Sequence, residues 1–251
     1  MECLLYPAGS TQACRYAAEA LGRSGYSLVD HPTPEITHLL LDVPSFDSSG
    51  DLRGGRDAGE LLSMLPEDIC IVGGKLDQPV LQGYTTLDLL QQEDYLAANA
   101  AITAHCALKV AAPYLQTTFA DTPTLILGWG RIGKCLAQLL NGLHCPVTVA
   151  ARKETDRSIL RALGYSALSP EECSQQLKRT KLLFNTIPAP VLSREDLTAA
   201  RHCVQIELAS QPGLSGPNVI PALGLPGVYA PESSGHLIAK MFITHFLEVE
   251  P

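Results

Sequence analysis

Short runs of aliphatic and β-branched residues alternate along the chain with stretches whose apolar positions recur every three or four residues. This is the pattern of an α/β protein with largely parallel sheets. In the N-terminal third it predicts strands at Cys3–Pro7, Tyr26–Val29, His38–Val43, Ile69–Gly73 and Gly83–Thr86, and helices over Gln12–Ser24 and Glu60–Leu65. The stretch from Pro44 to Ala58 is rich in Ser, Asp and Gly, too polar for core, and predicts a loop. From Asp88 to Leu115 only Pro113 interrupts a helical pattern, and a helix of that length between two α/β units reads as a connector. Beyond it the pattern predicts strands at Thr124–Leu127, Pro146–Ala151, Leu182–Asn185 and Cys203–Leu208, with helices over Lys134–Leu143 and Asp156–Leu163. The last segment, Ser233–Leu247, is helical and is expected to return to the N-terminal domain beside the connector. The domain reading is a smaller N-terminal α/β domain over residues 1–88, on the substrate side, a connecting helix over 89–115, a Rossmann dinucleotide-binding domain over 116–232, and a returning helix over 233–251.

The chemistry concentrates in the second of these domains. Gly128-Trp129-Gly130-Arg131-Ile132-Gly133 sets G-x-G-x-x-G directly after an apolar strand and directly before a helix. In that setting the first glycine makes the tight turn, the second lets the backbone approach a pyrophosphate, and the third lets helix and strand pack closely. The helix N-terminus supplies free N–H groups and partial positive charge to the same anion. The next strand ends in Ala150-Ala151-Arg152-Lys153, where an NAD-binding chain usually offers a carboxylate to the ribose 2′-hydroxyl. Two cations and no acid at that place favour the 2′-phosphate of NADP over NAD. Ligands of open parallel sheets lie beyond the C-terminal strand ends, so Asn185, Thr186, Ile187 and Pro188 after one strand, and Leu208, Ala209 and Ser210 after another, fall where a nicotinamide ring would lie.

Composition narrows the partners. A formal charge of −8 gives no general attraction for nucleic acid or anionic lipid, so an anionic ligand needs local cations. Arg53, Arg56 and Lys75, on loops of the N-terminal domain, are the candidates, and Ser45 is expected to face the same cleft. The eight cysteines form no C-x-x-C pair and read as reduced structural thiols, no metal site is predicted, and no segment reads as a leader or a membrane span, so the chain is expected to be cytoplasmic.

Five segments in order and spacing carry a family resemblance: the glycine fingerprint, Val147-Thr-Val-Ala-Ala-Arg-Lys153, Asn185-Thr-Ile-Pro-Ala189, Leu208-Ala-Ser210 and Gly224-Leu-Pro-Gly-Val-Tyr-Ala-Pro231. Together they resemble the A subunit of dipicolinate synthase, over about Asp88 to Ile238. The resemblance implies an NADP-linked oxidation of a cyclic dihydrodipicolinate to the aromatic dicarboxylate, partnership with a flavoprotein-like B subunit, a homo-oligomer, and a setting in sporulation. It also implies site residues on the connector, where the family pattern Asn-x-Ile-Pro-Thr-x-Glu-Gly reads Asn99-Ala-Ala-Ile-Thr103-Ala-His105-Cys106. Asn99 and Thr103 persist, and His105 replaces the carboxylate as candidate base, with Asn185 and Ser210 completing the catalytic set. Departures are a shortened N-terminal domain, Pro7-Ala-Gly-Ser-Thr11 in place of a Gly-Gly-Asp-x-Arg turn, and Glu232 where the family usually has Lys.

Two other readings compete. D-2-hydroxyacid dehydrogenases share the two-domain architecture, but they need an Arg after the strand ending at Leu208 and a His near Pro231, and this chain has Ala209-Ser210 and Glu232. The other is a nucleotide-binding regulatory or scaffold protein without turnover.

Overall fold

A computed structural model describes residues 3–247. The described residues divide into two compact units, one built from residues 3–99 and 226–247 and the other from residues 100–225.

The first unit holds a five-stranded parallel sheet in the order β2-β1-β3-β4-β5. Its strands are β1 (Leu4–Pro7), β2 (Ser27–Leu28), β3 (His38–Leu40), β4 (Cys70–Gly73) and β5 (Thr85–Asp88). Leu5, Leu39, Leu40, Ile71 and Val72 are wholly buried, as a sheet covered on both faces requires. Helix α1 (Gln12–Arg23) begins at Thr11, whose hydroxyl accepts from the Cys14 N–H, and buries Ala13, Cys14, Ala17, Ala18 and Leu21 along one stripe. Helix α2 is the short Ala58–Leu62.

Two differences from the sequence pattern have local causes. The third strand stops at Leu40 rather than Val43: the Leu41 N–H still reaches the Val72 carbonyl, and beyond it Asp42 turns its carboxylate to the β1–α1 loop. The 44–58 segment is a loop as expected, yet not free of core: Phe46 and Leu52 are buried in one cluster with Tyr6, Leu39, Leu61 and Ile71.

The long helix α3 runs over Glu93–Ala111, shorter than its apolar pattern, and the division between the units falls within it. Asp88 starts a separate 3₁₀ turn by accepting from the Leu90 N–H, and Pro113 sits in a second 3₁₀ turn that ends the helix.

The second unit is a six-stranded parallel sheet in the order β11-β10-β9-β6-β7-β8. Its elements are β6 (Thr124–Leu127), α4 (Arg131–Gly142), β7 (Val147–Ala150), α5 (Glu154–Ala162), β8 (Ser166–Leu168), α6 (Cys173–Leu177), β9 (Leu182–Asn185), α7 (Arg194–Ala199), β10 (Val204–Glu207) and β11 (Val219–Pro221). This is the doubly wound dinucleotide-binding topology, in which the strand order reverses between β6 and β9. β8, α6, α7 and β11 are three to six residues long, too short to register as hydrophobic periodicity.

A short α8 (Leu225–Tyr229) leads to α9 (Pro231–Leu247), which belongs to the first unit. Its main partner is α1, not the connector. The two helices meet at Gly235, where a Cβ would sit 2.5 Å from the Tyr16 Cβ and 2.6 Å from the Ala13 carbonyl oxygen.

Candidate functional site

The three glycines after β6 occupy three different environments. Gly128 has φ +104°, and a Cβ there would lie 2.5 Å from Thr186 Oγ1 and 2.9 Å from Ile187 Cγ1. Gly133 is pressed against the Gly128 carbonyl, which a Cβ would overlap. Gly130 has nothing within 4 Å of the place a Cβ would take. It is the N-cap of α4 and, being glycine, brings no side-chain cap to the first-turn N–H groups. A cradle open at the middle glycine and closed at the outer two is what a pyrophosphate seat requires. Trp129 is half-buried, 6.1 Å from the Tyr165 ring, and Lys134 Nζ lies 5.8 Å from the Trp129 ring centre. Arg131 is exposed and Ile132 half-buried on the first turn.

At the end of β7, Ala151 is buried and its N–H donates to the Leu168 carbonyl, fixing the strand end, while Arg152 and Lys153 project into solvent. The next acid in the chain, Glu154, is taken: Arg161 and Arg157 bond its two oxygens at 2.6–2.8 Å and hold its carboxyl below the usual range. Arg157, which sequence reasoning missed, also donates to the Ala151 and Arg152 carbonyls at 2.6 and 2.8 Å. It therefore shapes the turn that displays the two cations.

Beyond β9 and β10 the central feature is one the sequence reading did not single out. Glu207 is 1% exposed, and its oxygens accept from the N–H groups of Ala209, Gly213 and Leu214 at 2.7–2.8 Å and from Asn185 Nδ2 at 2.9 Å. Asn185 is wholly buried, donates also to the Ile187 carbonyl, and accepts from the Ile187 N–H. The catalytic role expected of Asn185 is therefore corrected: its amide is spent inside the protein, where it ties the two turns together. Gly213 is required there, since a Cβ would meet the Ala189 and Ile187 carbonyls at 2.5 and 2.6 Å. Thr186 Oγ1 donates to the Leu127 carbonyl at 2.8 Å, linking this turn to the glycine loop. Pro188 and Ser210 are exposed, and Leu208 and Ala209 are buried. A carboxylate at the end of an apolar strand was the available signal for Glu207.

In the first unit, Ser45 is also corrected. It is 1% exposed, donates to the Asp42 carbonyl at 2.7 Å and accepts from the Gly74 N–H, so it pins two loops rather than facing a ligand. Through it the loops of Arg53 and Lys75 share one edge: the Arg53 N–H donates to the Ser45 carbonyl and the Ser45 N–H to the Gly74 carbonyl. Arg53 and Lys75 are exposed, and Arg56 donates to the Tyr6 hydroxyl at 2.9 Å. Asp42, 2% exposed, accepts from the N–H and hydroxyl groups of both Ser10 and Thr11 and so holds the two residues that lead into α1.

The set expected on α3 does not converge. Asn99 and Thr103 are four residues apart on one face, and Thr103 is buried. His105, two residues on, is about 200° further round the helix and exposed, so it cannot serve the same site as the other two.

Among the described residues no cluster of three or more His, Cys, Asp or Glu could hold a metal, no helix is long and apolar enough to cross a membrane, and all eight cysteines are free.

No family model matches the chain. The A subunit of dipicolinate synthase from Bacillus subtilis (strain 168) is 25% identical over 171 residues, 64% of this chain and 58% of that protein, so the match spans less than two thirds of the curated relative. Among solved structures, the dipicolinate synthase A subunit from Bacillus halodurans superposes with TM-score 0.81 at 20% identity, covering 100% of this chain and 98% of the other. Transhydrogenase from Sinorhizobium meliloti follows with TM-score 0.70 at 14% identity over 98% and 93%. The resemblance carried by the sequence motifs is thus met again in a curated relative and in a whole-chain fold match, each of them the A subunit of a dipicolinate synthase.

Proposed function

We propose that the chain is a nicotinamide-dependent oxidoreductase of the dipicolinate synthase A type, using NADP in preference to NAD. The observation that carries the reading is the glycine cradle, open only at Gly130. The bound dinucleotide would supply the hydride acceptor. The α4 N-terminus would hold its pyrophosphate, Arg152 and Lys153 its 2′-phosphate, and the turns at Thr186–Pro188 and Leu208–Ser210 would border its ring. A cyclic dihydrodipicolinate would lose one hydride to the cofactor and one proton, leaving the aromatic dicarboxylate. Arg53, Arg56 and Lys75 are the cations proposed for the two carboxylates, and Asn99, Thr103 and Ser210 the polar groups proposed to orient the reactants. His105 is not carried into this scheme. Self-association and a flavoprotein-like B subunit complete the reading.

Calorimetric titration with NADP and NAD, followed by NADP reduction in the presence of freshly dehydrated 4-hydroxy-tetrahydrodipicolinate and a B subunit, tests it. Tighter NADP binding and formation of dipicolinate are expected. Cofactor binding without product under any pairing would turn the reading toward a regulatory protein.

A further inference from the structure

We infer that Glu207 is a positioning residue whose buried negative charge sets the preference of the site for the oxidised, cationic form of the nicotinamide ring. The inference rests on the dinucleotide reading above and adds to it a residue and a property. All of the hydrogen bonds to Glu207 run inward: three backbone N–H groups and the Asn185 amide donate, and both oxygens only accept. That is the pattern of an ionised carboxylate. It lies at the C-terminal end of β10, beside the end of β9, on the side of the β6/β9 strand-order reversal opposite to the adenosine half.

Two consequences follow from this placement. Glu207 fixes the shape of both turns that border the ring, because one turn donates through Ala209, Gly213 and Leu214 and the other through Asn185. It also places a charge, itself buried, at the strand ends beside which the ring is proposed to lie, and there a formal charge on the ring would feel it more than a neutral ring would. For two unit charges roughly 10 Å apart at an effective dielectric near ~20, such an attraction would favour the cationic ring by about tenfold. A purely mechanical role would weaken the oxidised and reduced forms by the same factor. The ratio of the two affinities is therefore the quantity that isolates the charge.

The experiment is titration of the full chain with NADP and with NADPH, before and after Glu207→Gln. The unaltered chain is expected to bind the oxidised form at least as tightly as the reduced form. Glu207→Gln is expected to lower affinity for NADP about tenfold more than affinity for NADPH. Equal loss of both forms, or no loss of either, would overturn the inference while leaving the dinucleotide reading intact. Should Glu207→Gln not fold, the unaltered chain still decides, because tenfold or greater preference for NADPH contradicts a net attraction of the buried charge for the cationic ring. Failure of both forms to bind the unaltered chain would remove the dinucleotide reading and this inference with it.

Discussion

Replacing each glycine of the loop by alanine separates binding from packing. At Gly130 the backbone has φ −81°, open to any residue, and the new methyl meets nothing within 4 Å. Loss of unfolded-state freedom should stabilise the fold by about 0.4–1 kcal/mol, and loss of a good N-cap residue should offset a similar amount, so the net change is near zero. The methyl nevertheless stands where the pyrophosphate is proposed to approach, and losing one charge-assisted hydrogen bond is worth about 1.5–3 kcal/mol, roughly 10- to 150-fold in affinity. At Gly133 the methyl overlaps the Gly128 carbonyl, and overpacking of about 1–3 kcal/mol outweighs the gain of up to ~1 kcal/mol from helix propensity. At Gly128 the positive φ and the contact with Thr186 Oγ1 combine, for a loss of about 2–4 kcal/mol. The lone tryptophan, Trp129, sits inside the loop and reports dinucleotide binding by fluorescence, while urea unfolding reports stability. Gly130→Ala should be stable and bind cofactor roughly 10- to 150-fold more weakly, with the other two variants less stable. A stable Gly130→Ala that binds as the parent does would refute the cradle, and a fully stable Gly133→Ala would refute the packing argument.

Three further outcomes are expected. Arg152→Ala should weaken NADP binding by about 1.5–3 kcal/mol and leave NAD binding unchanged, and equal affinities for the two in the parent would remove the basis for the 2′-phosphate contact. Asp42→Asn turns an acceptor oxygen into a donor facing the Ser10 or Thr11 donors, so urea unfolding should reveal a loss of about 2–4 kcal/mol, and an unchanged midpoint would contradict it. Burial pushes the thiols of Cys14, Cys173 and Cys203 up to about 12 from 9.0, holding them neutral in the folded chain. Unfolding frees them to ionise, so their stabilising effect is complete below pH 9 and is lost as the pH rises from 9 toward 12. Urea midpoints that hold steady between pH 8 and 10.5 would show that these thiols do not behave as buried.

Elements with long, regular periodicity were legible from sequence, and β9 falls on its expected bounds at Leu182–Asn185. The glycine fingerprint was legible because its spacing is dictated by a turn, a close approach and a packing contact that only glycine satisfies together. What escaped was anything settled by contacts between distant segments. Asn185 sits at a strand end and Ser45 in the loop beyond one, where ligand-binding polar groups also sit, and sequence position cannot tell a group that faces a ligand from one bonded within the protein. His105 differs: helical periodicity alone separates it from Thr103, so its face was readable, and the family pattern rather than the residue spacing drew it into the site.

The two buried carboxylates also bear on which unit takes the dinucleotide. Each sheet has a strand leading through a glycine-bearing turn into a helix, Gly9 before α1 and Gly128 to Gly133 before α4. Both helices begin with N–H groups that need an acceptor. At α1 the chain supplies one: Asp42 bonds Ser10 and Thr11, the Thr11 hydroxyl caps the helix, and a Cβ on Gly9 would lie 2.7 Å from Asp42 Oδ1. A phosphate there would have to displace a buried acid of its own charge. At α4 the cap is a glycine with no side-chain bond, and the acid of that unit, Glu207, is spent two strands away on the turns after β9 and β10. The same local geometry thus has the chain's own carboxylate beside it in one unit and a bare glycine cap in the other, the arrangement on which the proposed dinucleotide seat rests. Asp42→Ala should open the first seat without conferring dinucleotide binding on it, because no cations equivalent to Arg152 and Lys153 follow β2, where Asp30 and His31 stand instead. Dinucleotide binding that survived Gly130→Ala but vanished on Asp42→Ala would reverse the assignment.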